Sequence, residues 1–350
     1  MQDPGRQTAI YALTPRGGRL GRMLAHGMNG DLFMPSRLAE SYGAVPFEGL
    51  REAVAANFRR YPRQIFISAA GIVVRVIAPH LSSKDKDPAV VVLDQEGRYA
   101  VSLLSGHLGG ANELAGEVAS LTGGRAVITT ATDAAGLTAI DVLAREKEMA
   151  ILNLGGVKAV NMAILSGEPV QVFDPEDRLF FGQGRKIPFP MMRIAEEKEW
   201  VKGRPGVWVT WRRKEPETTM MQLVLHPRCL IAGIGCNRGT EGREIIDLVV
   251  STFERYSLAM KALKCLASIE AKRDEEGLKR AAEELGVPAV FVDLSEIRSV
   301  SVPHPSVMVE KHMGVQSVCE ATAIVKSGNG RLLIPKTKSR NATLAVALEG

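Results

Sequence analysis

The sequence predicts a multi-domain α/β protein, and three observations lead to this prediction. Short apolar runs alternate with amphipathic helical segments at both ends of the chain, a pattern typical of α/β folds. The 350 residues, 45% of them hydrophobic, are long for a single core. A middle region holds all three tryptophans and several charged, proline-containing pieces. We predict two α/β sandwich-like domains, 1–144 and 229–350, flanking a smaller α/β or α+β domain over 145–228.

The first domain is predicted to alternate strands with helices. Strand candidates are the apolar runs at 9–13, 64–68, 90–93, 99–101 and 126–129. Three stripes at helical spacing lie between them: Leu20, Met23 and Leu24; Phe47, Leu50, Val54 and Phe58; and Leu114, Val118 and Leu121, closed by two glycines.

The last domain is predicted to be a second α/β unit, with its boundary near Pro227. A strand at 230–235 enters a glycine turn, and later strands are expected at 265–269 and 290–292. The helix after the glycine turn carries its apolar residues on one face: Ile245, Leu248, Val249 and Phe253.

Composition and charge exclude several classes of function. No apolar run approaches the roughly 20 residues of a membrane span, and the start of the chain lacks a secretory pattern, so we expect a cytoplasmic protein. The four cysteines form no CxxC pair, the six histidines show no metal-binding spacing, and we therefore expect reduced thiols and no metal site. A formal charge of +5 with only 5% aromatic residues favours an anionic small molecule over nucleic acid.

The most informative motif runs over residues 105–113, between a predicted strand and a predicted helix. It interleaves Ser105, His107, Asn112 and Glu113 with glycines at 106, 109 and 110. Glycines at a helix start let a ligand approach the backbone N–H groups, which together with the helix dipole favour an anion or oxyanion. A histidine at this place suits a general base near neutral pH. The alternative is a histidine that caps the helix, with glycines that only shape the turn.

Two weaker motifs belong to the same domain. Thr132 and Asp133 follow a strand, where α/β folds bind ligands, although a helix N-cap explains the same residue types. Gly71 also follows a strand, and Arg75 lies within an apolar segment. Arg75 is a candidate clamp for a carboxylate; the alternative is an arginine on a solvated helix face.

The last domain carries further candidates for anion binding. Its GxGxxxG pattern includes Gly235, and Arg238 stands where a dinucleotide fingerprint requires glycine, so we reject NAD binding. A smaller anion, with Arg238 as its partner, remains a candidate ligand of the following helix N-terminus. Cys236 is either a packing residue or, beside Arg238 at a helix start, a reactive thiol of lowered pKa. Glu320 is either structural or orients a ligand, and Lys336 is a candidate anion contact.

Taken together, these segments resemble the CbiG family of cobalamin biosynthesis over nearly the whole chain. Residues 68–75, 105–112 and 132–133 are similar to the family's N-terminal domain. Residues 232–239, 317–321 and 336–347 are similar to its C-terminal domain, which also resembles CobE of the aerobic pathway. The middle region matches only in position and general character. Cys319 departs from the small residue, such as alanine, expected there.

The resemblance implies a cobalt-precorrin-5A hydrolase of the anaerobic corrin pathway. Water opens a δ-lactone between the ring A acetate and the methyl-bearing C20 bridge carbon, acetaldehyde leaves, and cobalt-precorrin-5B results. His107 is our candidate base, and Glu113 or Asp133 the acid–base partner. We assign substrate binding to the remaining candidates: Gly71, Arg75, Ser105, Gly106, Gly109, Gly110, Asn112, Thr132, Gly235, Cys236, Arg238, Glu320 and Lys336.

Under this resemblance the partner is a cobalt-containing anionic tetrapyrrole, and cobalt arrives within the substrate rather than with a protein-bound cofactor. Candidate protein partners are a second copy of the chain and, transiently, other corrin-pathway enzymes. The alternative function is a non-catalytic corrinoid carrier or chaperone, which would not need His107. A methyltransferase would need a site for S-adenosylmethionine, and an oxidoreductase is disfavoured by the broken glycine pattern.

Overall fold

A computed structural model of the chain describes residues 8–83, 86–107, 109–130, 137–180, 188–298, 300, 302–303 and 317–350. The chain divides into two compact units, Met1–Val142 and Leu143–Gly350. Within the described ranges the strands form three sheets flanked by helices, so the predicted multi-domain α/β class is confirmed. The second sheet lies within residues 149–227 and the third within 230–348, while the predicted domain boundaries stay predictions.

The first unit is built on a seven-stranded sheet of order β3-β2-β1-β4-β5-β6-β7. All neighbouring strands are parallel except β5 and β6, which are antiparallel. Its strands are β1 Thr8–Ala12, β2 Asp31–Pro35, β3 Val45–Phe47, β4 Arg63–Ile67, β5 Ala89–Leu93, β6 Tyr99–Leu104 and β7 Arg125–Val127.

Helices cover both faces of this sheet. They are α1 Pro15–Gly27, α2 Ser36–Tyr42, α3 Leu50–Asn57, α4 Ala70–Ile77 and α5 Ala111–Thr122. A further helix, α6 Ile140–Glu146, follows in the chain. Because side chains alternate along a strand, β1 sends Ile10 into one core with Leu24 and Leu114, and Tyr11 into the other with Val73. Burial on both faces explains why the central strands are continuous apolar runs.

Three local predictions for the first unit are wrong. Met23 and Leu121 are each 45% exposed, so neither completes the predicted buried stripe. Phe47 belongs to strand β3, because the helix begins only at Leu50, after its N-cap Gly49. Val54 and Phe58 are buried as predicted.

The second sheet has the order β10-β9-β11-β12-β8. Only β8, at its edge, runs antiparallel to its neighbour. The strands are β8 Met149–Ile151, β9 Val170–Phe173, β10 Met191–Ile194, β11 Gly206–Val209 and β12 Gln222–Pro227, and α7 is Leu154–Ser166. Of the two predicted classes for this region, the parallel pairing selects α/β.

The third sheet has the order β15-β14-β13-β17-β16, with β13, β14 and β15 parallel and the other pairs antiparallel. The elements are β13 Leu230–Cys236, α8 Gly242–Arg255, β14 Leu263–Ile269, α9 Glu276–Glu284, β15 Ala289–Val292, α10 Leu294–Arg298, α11 Val318–Lys326, β16 Arg331–Lys338 and β17 Ala342–Leu348. The predicted apolar face of α8 is buried in the core.

Helix α11 packs unusually close to β13. A Cβ atom at Gly233 would lie 1.9 Å from the carbonyl oxygen of Cys319, so only glycine fits at this strand position. No helix among the described residues is long and apolar enough to cross a membrane.

Candidate functional site

The glycine motif forms a tight loop between β6 and α5. Ser105 and Gly110 have left-handed φ angles of 59° and 84°, and Gly110 is the N-cap of α5. A Cβ atom at Gly109 would lie 2.3 Å from the Cβ of Ser105. The chain can therefore fold back on itself here only with glycine at position 109.

Backbone hydrogen bonds close this loop. The N–H groups of Ala111, Asn112 and Gly110 donate to the carbonyl oxygens of Ser105, Gly106 and His107, at 3.1, 3.0 and 3.1 Å. The expectation that the N–H groups at this helix start serve an oxyanion is therefore wrong for these three donors. They satisfy the turn instead.

Asn112 connects three segments of the first unit through its side chain. Its Oδ1 accepts a hydrogen bond of 2.7 Å from Ser102 Oγ on β6, and its Nδ2 donates to Thr130 Oγ1 at 3.0 Å. Ser105 Oγ in turn donates to the carbonyl oxygen of Asp87 at 3.0 Å. Ser105 and Asn112 thus hold the loop in place by contacts within the protein.

His107 is paired with a buried carboxylate. Its Nδ1 lies 3.6 Å from Oδ2 of Asp141, near the start of α6, and their side chains are 15% and 3% exposed. A carboxylate facing Nδ1 orients an imidazole, as in the acid–base pairs of hydrolases. This geometry suits His107 to take a proton from water and to return it later.

Of the two other predicted acid–base residues, the structure describes Glu113 but not Asp133. Glu113 is exposed in the first turn of α5, where its negative charge complements the helix dipole. Asp133, like the predicted substrate contact Thr132, lies outside the described residues. The acid–base roles of Glu113 and Asp133 stay predictions.

Arg75 lies on the exposed face of α4. Its Nη1 donates a 2.8 Å hydrogen bond to the carbonyl oxygen of Gly71, one turn earlier in the same helix. This contact favours the alternative of a solvated helix-face arginine over a carboxylate clamp.

In the second unit, three predicted residues line one cavity of about 380 Å³: Gly235, Cys236 and Lys336. The cavity lies at the carboxyl end of β13, between the start of α11 and the turn joining β16 to β17. It adds three cationic side chains that the sequence did not single out, Lys272, Lys338 and Arg340, together with polar ones such as Asn341. None of the described lining residues is Asp or Glu.

Cys236 does not match the reactive-thiol alternative. It ends β13, whereas α8 begins only at Gly242, so it is not at a helix start. Burial raises the pKa of its thiol, and the opposing effect of Lys272 is smaller. The reactive-thiol alternative requires a lowered pKa, so the raised pKa favours the packing alternative.

Arg238, the predicted anion contact, has an acidic side chain of the protein beside it. Arg238 is 93% exposed, and its Nε lies 3.9 Å from Oε1 of Glu275. Oε2 of Glu275 accepts a 3.0 Å hydrogen bond from the N–H of Gly239. This N–H and Lys272 hold the pKa of Glu275 below its usual value. A carboxylate of the protein thus lies beside Arg238, whose anion-binding role stays a prediction.

Glu320 lies behind the cavity wall. It is completely buried, and its Oε1 accepts a 2.8 Å hydrogen bond from the backbone N–H of Lys336. Of the two alternatives for Glu320, this contact favours the structural one, in which the carboxylate fixes β16 against α11.

Sequence reasoning missed Asp141 and three cavity cations. An acid within the apolar run 139–143 was a usable signal for Asp141, since buried carboxylates need partners. Lys338 and Arg340 follow Lys336 at short spacing, but only the pairing of β16 with β17 places them beside β13. Lys272 carries no local signal of its role.

Three family models match consecutive parts of this chain. Sequence models of the family described as Cobalamin synthesis G match in three parts. The N-terminal model covers residues 52–133, the central-region model 138–227 and the C-terminal model 230–347. The matches follow one another along the chain, as the resemblance implied.

Individual relatives match over the whole length. A protein of Priestia megaterium named cobalt-precorrin-5A hydrolase is 33% identical over 97% of this chain and 94% of its own. A protein of Salmonella typhimurium with the same name is 34% identical over 97% of each chain. Protein CobE of a Sinorhizobium species is 33% identical over 34% of this chain and 79% of its own. The chain belongs to the Cobalamin synthesis G (CbiG) family.

Proposed function

We propose that this chain is a cobalt-precorrin-5A hydrolase. The observation that carries the proposal is its 33–34% identity, over 97% of the chain, to two proteins that bear this name. The reaction opens the ring A δ-lactone and releases acetaldehyde to give cobalt-precorrin-5B. The substrate is a cobalt-containing tetrapyrrole with acetate and propionate arms, and cobalt enters with it rather than with a protein-bound cofactor.

The pairing of His107 with Asp141 supports His107 as the residue at which hydrolysis takes place. Since Nδ1 faces Asp141, proton transfer with the substrate runs through Nε2. His107 takes a proton as water bonds to the lactone carbonyl carbon; the acyl C–O bond then breaks, and the departing alkoxide is protonated. Removal of the new hydroxyl proton expels acetaldehyde as the bond to the ring breaks, and the ring carbon keeps the electron pair. Glu113 and Asp133 are the candidates for the second proton transfer.

The setting of this reaction is also a proposal. A cytoplasmic enzyme would receive its corrinoid from another enzyme of the same pathway and pass the product on. We propose transient contacts of this kind, and self-association of the chain, as candidate interactions. Neither nucleic acid nor a membrane has a role in them.

The test is anaerobic incubation of the purified chain with cobalt-precorrin-5A, with acetaldehyde and product mass as readouts. Wild type should release acetaldehyde, and His107→Ala should bind substrate but turn it over about 10²–10⁴-fold more slowly. His26→Ala, an exposed histidine at the end of α1, is the matched control and should keep wild-type turnover.

Each other outcome redirects the assignment. Full turnover by His107→Ala would move the chemistry away from His107. A folded wild type that binds the corrinoid without releasing acetaldehyde would replace the hydrolase by a carrier.

A further inference from the structure

The cavity of the second unit has a composition suited to one kind of ligand. Its volume of about 380 Å³ falls within the roughly 300–1,000 Å³ typical of small-molecule pockets. Ile269 and Val318 contribute apolar surface, while Asn237 and Asn341 offer amide groups. A ligand that fits this lining is partly apolar and carries groups that accept hydrogen bonds.

The cationic side chains that line the cavity favour a negatively charged ligand. Lys336 and Lys338 of β16 both line the cavity. Arg340 follows in the turn to β17. Lys272 adds a fourth cation, although its Nζ also lies 3.0 Å from Glu275 Oε1. Since the described lining contains no carboxylate, the cavity favours a ligand with several negative charges.

The turn that carries Arg340 is fixed by hydrogen bonds to Glu244. Glu244 of α8 accepts hydrogen bonds from Ser339 Oγ at 2.6 Å, from the N–H of Asn341 at 2.6 Å and from Asn341 Nδ2 at 3.0 Å. The turn between β16 and β17 is therefore fixed before any ligand arrives, and less conformational entropy is lost on binding. Glu244 also attracts the charge of Arg340.

We propose that this cavity binds the carboxylate-bearing edge of a tetrapyrrole, with Lys336, Lys338, Arg340 and Lys272 on its acetate and propionate groups. The choice of a tetrapyrrole rests on the proposed function, whereas the choice of a polycarboxylate rests on the cavity itself. All the residues of this proposed site belong to the second unit.

The experiment is equilibrium titration of the full chain with uroporphyrin, a tetrapyrrole whose periphery carries acetates and propionates, followed by absorbance and fluorescence. Lys336→Gln/Arg340→Gln removes two cavity charges while keeping the backbone bond from Lys336 to Glu320. We expect its affinity to fall at least about tenfold, as for one lost charge-assisted contact. Lys198→Gln/Arg204→Gln removes the same charge from exposed positions that do not line the cavity, and should bind like wild type.

Two further measurements keep the outcomes distinct. The variant Lys336→Arg keeps the charge and should retain binding. Comparing the melting temperature of Lys336→Arg with that of the double variant shows whether a loss of binding in the double variant is caused by misfolding. Wild type that does not bind uroporphyrin, or cavity and control variants whose affinities fall equally, would overturn the cavity proposal.

Turnover of cobalt-precorrin-5A is assayed separately. Charge-dependent uroporphyrin binding without turnover would keep the cavity and reject the hydrolase, whereas turnover with an unchanged KM in the cavity variant would do the reverse.

Discussion

Nδ1 of His107 lies 3.6 Å from Oδ2 of Asp141, although 33 residues separate the two in the chain. The histidine belongs to the loop before α5, and the aspartate to the first turn of α6. A histidine on a tight loop thus faces a carboxylate that is almost completely buried.

Asp141 is expected to act by positioning His107. Asp141→Asn keeps the shape of the side chain but replaces the carboxylate that orients the imidazole, so kcat should fall by about 10–10³-fold while KM stays near wild type. The measurement is steady-state acetaldehyde release. Asp274→Asn, at an exposed position, is the control. If the fall in kcat is fully explained by a lower melting temperature of Asp141→Asn, Asp141 has only a structural role.

Gly233 should tolerate no side chain. The Cβ of Gly233→Ala would meet the Cys319 carbonyl at 1.9 Å, so β13 or α11 must move, at a cost of roughly 1–3 kcal/mol in unfolding free energy. Gly116→Ala is the contrasting substitution, because its Cβ meets no atom within 4 Å, and it should stabilise α5 by about 0.5–1 kcal/mol. Urea denaturation followed by circular dichroism tests both; a harmless Gly233→Ala would show that the close packing is not required.

Glu320 should matter for stability through its oxygen rather than its charge. Glu320→Ala removes the acceptor of the partly buried N–H of Lys336, which costs about 1–3 kcal/mol. Glu320→Gln keeps a side-chain oxygen and should lose much less. Thermal melting of the two variants beside wild type is the comparison, and equal melting temperatures for Ala and Gln would contradict the role of the hydrogen bond.

Glu275 predicts a pH dependence of stability. The Gly239 N–H and Lys272 lower the pKa of its carboxyl in the folded protein. Its contribution is therefore complete above the ordinary glutamate pKa of the unfolded chain and disappears as the pH falls through the lowered folded value. The melting temperature of Glu275→Gln should lie below that of wild type at neutral pH and approach it in acid. Glu283→Gln, an exposed glutamate of α9, should show no such convergence; a difference for Glu275→Gln that grows in acid would reverse the sign and refute the assignment.

Local patterns were enough for most of the secondary structure. The strands around Ile65 and Val91 and the buried face of α8 follow from hydrophobic periodicity, which depends only on neighbours in the chain. The same reasoning misplaced Phe47, because a helical spacing continued by chance across Gly49, where the strand ends and the helix begins.

The sequence by itself determined the α/β class, the glycine loop around His107 and, through its motifs, the CbiG family. Tertiary structure alone decided that Asp141 faces His107, that Glu275 accepts a hydrogen bond from the Gly239 N–H, and that Lys272 and Arg340 line one cavity with Cys236. The physical reason is range: periodicity and turn chemistry act over a few residues, whereas a site is made by side chains that sheet pairing and core packing bring together from distant parts of the chain.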